Sequence, residues 1–280
     1  MMSTQRAREI GRRLITARLA EQLRRAQSSK VPISAFSERF PDLSIAEAYD
    51  IQHINIAHRV RCGDQVVGRK VTDAAPLRHP GASHPHTGLL TSRMLVAGDA
   101  RLTAADFILP RVRPAIAVKL TRPVHDPSAP GGLDDIVGEV MLAAEIADSR
   151  IEGRSHSDAD MIADNLGTGR VILGDAQAPT ADLLRTPVTA AMSSRAVGEK
   201  VAQTHPPTRL HDAIGAIALL VATLRARGES SRPDELILIG CTSQEIALTP
   251  DHSYAIHADG FAPLRFETIE GAAASPADGA

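Results

Sequence analysis

The chain has 280 residues, enough to bury a substantial core as one large or two small domains. Its apolar fraction is 43%, yet with no Trp, two Tyr and five Phe the packing falls to Ala, Val, Ile and Leu. So few stacking platforms, with a formal charge of −2, exclude a nucleic-acid partner. Cys62 and Cys241 are too few for a disulfide framework and suit a reducing compartment. No apolar h-region follows the charged start MMSTQRAREIGRR, and no run of about 18 apolar residues could span a bilayer. A cytoplasmic protein with no membrane partner is expected.

From about Gln5 to Gln27, Ile10, Leu14, Ile15, Leu19 and Leu23 recur at helical spacing. Ser44-Ile45-Ala46-Glu47 has capping-box spacing and opens a second helix that stops at Cys62-Gly63. On it, His53 and His58 read as partly exposed helix residues. Val66 to Val71 predicts a short strand carrying Lys70, followed by a loop rich in Pro and His from Ala74 to Thr87. A turn at Gly98-Asp99 precedes a strand over Ile116 to Leu120. Pro114 has no N–H for a ladder, so that strand starts after it or lies at an edge. Asp126 to Gly132 is a loop, and Leu133 to Ala143 has a helix-like composition. Glu145 then sits inside the apolar run Leu142 to Ile146, where an acid is costly unless it is paired, hydrogen-bonded or bound to a metal. Asp164-Asn165 precedes a Gly-Thr-Gly turn and the β-rich Val171-Ile172-Leu173. Val188 to Val201 suggests paired strands, Leu210 to Arg227 a helix stopped by Gly228, Leu236 to Gly240 a buried strand, and Ser253 to Phe266 a hairpin.

The order of VVGRKV, PHTGLL, PRVRPAIAVKL, LAAEIADSRI, IADNLGTGRVILG and LILIG resembles the 2-hydroxypenta-2,4-dienoate (2-oxopent-4-enoate) hydratase and 4-oxalocrotonate decarboxylase family, of the fumarylacetoacetase-like superfamily. The resemblance runs from about Gly11 to Glu267. It implies an α+β fold, with an N-terminal helical portion (1–65), a fumarylacetoacetase-like mixed β-roll holding the active site (66–269), and a small-residue tail (270–280) expected to be disordered. It also implies a small-molecule substrate and a homo-oligomer. In the family, Mg²⁺ or Mn²⁺ sits among three carboxylates, two from a Glu-x-Glu on a strand. Hard oxygen ligands hold such an ion, and the ion stabilises enolate charge.

Glu145 matches the third ligand of that cage, but the first two positions fall on Arg113 and Ala115, with no Asp or Glu between Asp106 and Asp126. The cage as written is broken. No cofactor is therefore expected, with Mg²⁺ or Mn²⁺ held weakly at Glu145 as the alternative. Arg113 and Glu145 could form a bidentate pair, and Arg113 could take over carboxylate or enolate binding from the ion or be an inert salt bridge. Lys70 matches the Lys of the family's G-x-K-I-G motif and is expected to face substrate. His86 stands where the family has an acid and is a candidate for proton transfer. With His84, and with His79 nearby, it could alternatively hold a replacement metal. Asp164 and Asn165 match well and either order the substrate loop or cap the turn. Cys241-Thr242-Ser243 reads as loop packing and not as a nucleophile. The catalytic candidates are thus Lys70, His86, Arg113 and Glu145, and the substrate-binding candidates Lys70, Arg113, Asp164 and Asn165. The expected activity is that of a hydratase-like carbon–oxygen lyase on a small 2-oxo or 2-hydroxydienoate acid, or a repurposed tautomerase, isomerase or cyclase. A catalytically silent partner or ligand-binding subunit is the alternative.

Overall fold

A computed structural model describes residues 2–71, 86–123, 134–153, 157–185, 188–199, 203–204, 208–209, 213–240 and 245–271. The positions His79, His84, Asp126 to Gly132 and Cys241 to Ser243, and nearly all of the tail, lie outside them. In chain order come α1 (Met2–Ser29), α2 (Phe36–Arg39), α3 (Ile45–Arg61), β1 (Val66–Val71), β2 (Thr87–Thr91), β3 (Leu95–Ala97), β4 (Ala100–Thr103), β5 (Arg111–Leu120) and β6 (Val137–Ala147). Then follow α4 (Asp158–Ala163), β7 (Thr168–Leu173), α5 (Ala181–Arg185), β8 (Thr189–Ala196), β9 (Gln203–Thr204), β10 (Thr208–Arg209), α6 (Ala213–Ala226), β11 (Leu236–Gly240), β12 (Ile246–Ala247), β13 (His252–Ala258) and β14 (Leu264–Ile269). The expected α+β order holds.

The capping box forms as its spacing predicts: the Ser44 hydroxyl accepts from the Glu47 N–H while the Glu47 carboxylate accepts from the Ser44 N–H. Helices α1, α2 and α3 bury Leu19, Leu23, Phe36 and Ile51 against Ile151, Ile162 and Leu166. His53 is exposed and His58 half-buried, as expected of helix residues.

Two mixed sheets carry the rest. The first runs β2-β1-β11-β5-β6-β7-β3 with β12 also on β5, and the second runs β10-β8-β13-β14-β4 with β9 on β8. The hairpin expected near Ser253 is the antiparallel β13–β14 pair. The main core joins the sheets and α6: Val112, Ile116 and Val118 of β5, Val140, Leu142 and Ile146 of β6, and Ile237 and Ile239 of β11 all point into it. Because successive strand residues face opposite ways, the other face of the first sheet carries Ala115 and Ala117, Met141 and Ala143, Leu236 and Leu238. Arg113, Glu145, Lys70 and Gly240 share that second face by parity.

Two sequence expectations are corrected. The segment read as helix-like over Leu133 to Ala143 is largely strand β6, whose central residues are buried on both faces. A strand without a solvated face shows no alternation, so Ala, Leu, Met and Glu suggested a helix that pairing on both sides overrides. The strand expected to begin after Pro114 or to lie at an edge instead passes through it, in the middle of the sheet. Pro114 is tolerated because β11 pairs with β5 only up to Ala115 and β12 resumes at Val112, so among the described residues positions 113 and 114 have no partner on that side.

Candidate active site

Glu145 lies directly opposite Arg113 in the β5–β6 ladder, and Lys70 approaches from β1, beyond β11. Lys70 reaches it because the intervening positions are small. A Cβ added at Gly240 would sit 3.5 Å from Glu145 Oε2 and 3.9 Å from Lys70 Cε, and Ala115 is its neighbour on β5. Lys70 Nζ donates to Glu145 Oε1 at 2.5 Å and to the Leu166 carbonyl at 3.0 Å. Thr168 Oγ1 adds a longer bond to the same carboxylate oxygen at 3.4 Å. The second oxygen, Oε2, has Arg113 Nε at 3.6 Å, too far for a hydrogen bond, and among the described residues neither atom has a hydrogen-bond partner although both are buried. The expected bidentate Arg113–Glu145 pair is therefore not formed; Lys70 is the principal partner.

Burial sets the electrostatics. It pushes the Lys70 pKa down to about 8, against the opposing pull of Glu145. For Glu145 burial acts upward, but Arg113 and then Lys70 outweigh it and hold the carboxyl below its ordinary range. Glu145 is an ionised, fully buried carboxylate between two cations.

The cluster borders a cavity of about 590 Å³, whose wall includes Arg113, Arg111, Asp164, Met161 and Glu245. Arg113 is the member of the cluster that reaches this wall. Lys70 turns to Glu145 instead of open space, since a buried ammonium needs an anion and acceptors more than a view of the cavity.

The other candidates are placed as follows. His86 Nε2 lies 3.2 Å from Asp158 Oδ2, which ties it to the start of α4. Asn165 brackets Leu89, accepting from its N–H at 2.7 Å and donating to its carbonyl at 2.9 Å. Asp164 accepts from Arg150 Nε at 2.6 Å and from Ser149 Oγ at 2.9 Å. Its own carbonyl receives the Arg150 Nη2. These bonds hold a turn in which Asn165 and Leu166 take positive φ, 52° and 56°, and which delivers the Leu166 carbonyl to Lys70. Sequence reasoning missed Arg150. It stands inside LAAEIADSRI, and the signal was a basic residue followed by a downstream acid in a segment otherwise read as motif.

No family model matches the chain. It is 30% identical to 2-keto-4-pentenoate hydratase of Paraburkholderia xenovorans (strain LB400) over 253 residues, 89% of this chain and 93% of the relative. It is 31% identical to 4-oxalocrotonate decarboxylase of a Pseudomonas species over 230 residues, 81% of this chain and 88% of the relative. In fold it is similar to 4-oxalocrotonate decarboxylase from Pseudomonas putida G7, at TM-score 0.82 and 23% identity over 92% of this chain and 98% of that one.

That neighbour was solved complexed with magnesium and adipate, and again with calcium and acetate. The expectation that no cofactor is needed is thereby overturned. The residues here nonetheless do not fit a divalent ion at the cage in this arrangement. An ammonium occupies Glu145 Oε1, a guanidinium faces Oε2, and Arg113 and Ala115 offer no oxygen. No group of three His, Cys, Asp or Glu able to hold a metal occurs among the described residues. At 30% identity over 89% of its length to a hydratase and 31% over 81% to a decarboxylase, the chain belongs to the 2-keto-4-pentenoate hydratase and 4-oxalocrotonate decarboxylase family.

Proposed function

We propose that the chain adds water to, or removes it from, a short conjugated 2-oxo or 2-hydroxydienoate acid, with Arg113 holding the substrate's carboxylate. The observation that carries this reading is the guanidinium of Arg113 at the wall of a 590 Å³ cavity, backed by a buried carboxylate to which it makes no hydrogen bond. A guanidinium so placed has donors left for a planar anion. In the hydration direction, water bonds to the carbon β to the carbonyl and the electron pair moves into the 2-oxo oxygen as an enolate, which is then protonated on carbon. Cationic Arg113 favours that developing charge. Glu145, buried behind Arg113 and held ionised between two cations, backs that guanidinium, while Lys70 fixes it through its other oxygen. Asp164 lines the cavity, and Asn165 and Arg150 keep its edge in place. His86, joined to Asp158, is the candidate for proton transfer. A silent subunit finds no support among relatives named as enzymes over nearly the whole length.

The test is turnover of a short 2-hydroxydienoate, followed by loss of its conjugated absorbance, with carbon dioxide release measured alongside because decarboxylases stand among the relatives. Arg113→Gln should lower kcat/KM by about 10- to 100-fold, the worth of a charge-assisted hydrogen bond. Arg113→Lys should recover part of the loss. Unchanged turnover in Arg113→Gln rules the assignment out. The exposed Ile10, Leu14 and Ile15 of α1 support assembly into a homo-oligomer, to be read by light scattering.

A further inference from the structure

A second cavity, of about 330 Å³, lies between α1, α3 and the segment after β2. Four guanidinium groups line it, from Arg24, Arg59, Arg93 and Arg150, against two carboxylates, Asp64 and Asp164. Both carboxylates are already engaged. Asp164 holds Arg150 at 2.6 Å, and Asp64 Oδ1 accepts from Ser92 Oγ at 2.7 Å, the Gln65 N–H at 2.9 Å and the Arg93 N–H at 3.0 Å. Arg24 Nη1 donates to Asn55 Oδ1 at 2.7 Å and Arg59 Nη2 to Gln27 Oε1 at 3.0 Å. Among the described residues no carboxylate forms an ion pair with the side chain of Arg24, Arg59 or Arg93. Burial lowers the Arg59 pKa and neighbouring Arg150 adds to it, while Asp64 opposes them, as expected of a cation in a positive enclosure.

We propose that this cavity binds a small dianion, a phosphate or a short dicarboxylate, through Arg24, Arg59 and Arg93. Arg24 and Arg59 are half-buried and Arg93 is exposed, and in this lining Asp64 is the one carboxylate not paired with Arg150's guanidinium to set against the three; an oxyanion relieves that excess while accepting from planar forks suited to it. The volume is at the lower end of small-ligand sites and suits a compact anion. The site is separate from Arg113 and stands whether or not the reaction assigned above is correct.

The experiment is thermal unfolding of the full chain at constant ionic strength, titrated with sodium phosphate and in parallel with succinate. The natural chain and Arg113→Gln should show a saturable rise in melting temperature. In Arg59→Gln and Arg93→Gln the midpoint should move by about tenfold or more. Arg93 is exposed, so Arg93→Gln leaves packing intact and keeps the test valid even if Arg59→Gln fails to fold. A lower midpoint for phosphate assigns a phosphate ligand, and a lower one for succinate assigns a dicarboxylate. The proposal is overturned by no saturable rise with either anion, by equal midpoints in every variant, or by loss confined to Arg113→Gln.

Discussion

Replacing Glu145 with Gln keeps the side chain's shape and removes its charge, and the cost follows from what surrounds it. The carboxylate is fully buried, with Lys70 Nζ at 2.5 Å and Arg113 Nε at 3.6 Å. Its loss leaves buried Lys70 and half-buried Arg113 without an anion, a change that costs about 3–5 kcal/mol in comparable cases. The lower end, about 3 kcal/mol, is expected here, because Lys70 is already held down at about 8 and can shed its proton to relieve the repulsion. Lys70→Met should cost a similar amount by leaving Glu145 with a distant Arg113 alone. The double variant removes both charges together, so it should cost about 3–4 kcal/mol instead of the sum, a coupling of about 2–3 kcal/mol. Urea unfolding at pH 7 and fixed protein concentration measures all four corners of this cycle. Single variants within 1 kcal/mol of the natural chain, or a double variant equal to the sum of the singles, would refute the placement of Lys70 and Glu145 as one buried pair.

Three further outcomes are expected. Gly68→Ala would put a Cβ 2.2 Å from the Leu236 carbonyl, so β1 must part from β11, at a cost of about 3 kcal/mol in urea unfolding; a stability equal to the natural chain's contradicts the parallel register. For Asp64 burial opposes ionisation, but hydrogen bonds from Ser92 and from the backbone of Gln65 and Arg93 outweigh it and hold the pKa at about 2, below 3.8. The unfolded chain therefore binds more protons around those values, so the contribution of about 2 kcal/mol is complete above about pH 5 and is lost as pH falls through about 2. The stability gap between the natural chain and Asp64→Asn should close over that window. Finally, Arg113→Glu with Ala115→Glu rewrites the strand as Glu-x-Glu facing Glu145; without metal the double variant should melt well below the natural chain, and Mg²⁺ should raise its melting temperature more than the natural chain's, whereas equal Mg²⁺ shifts would show that these positions do not form a cage.

The elements that build the site were legible where local chemistry decides them. Ser44 and Glu47 announce α3, the apolar run Leu236 to Ile239 announces β11, and Glu145 announces itself as an acid among apolar residues. What the sequence withheld depends on neighbours distant along the chain. Helix formers in β6 concealed a central strand, and Pro114 looked like a strand breaker because the gap between β11 and β12 cannot be seen in one segment. Arg113 and Glu145 were brought together in the sequence only by the cage positions that the family resemblance implies. That Lys70 would outcompete Arg113 for the carboxylate depends on Gly240 and Ala115 being small enough to let a side chain cross from β1.

The small-residue face of the first sheet explains both the charge cluster and its rigidity. Ala115, Ala117, Ala143 and Gly240 leave room for charged side chains to lie across the strands, but they supply no hydrogen bonds to them. The missing acceptors come from the Asp164 to Gly167 turn, whose Leu166 carbonyl takes the second bond from Lys70. Positive φ at Asn165 and Leu166, both non-glycine residues, is unfavourable by about 1–3 kcal/mol each. That strain is offset by the Arg150–Asp164 pair on one side and the Asn165–Leu89 bonds on the other. Asp164 also lines both cavities, and Arg150 lines the arginine-rich one. The turn that gives Lys70 its second acceptor thus begins at a residue, Asp164, that lines both cavities and is held by Arg150.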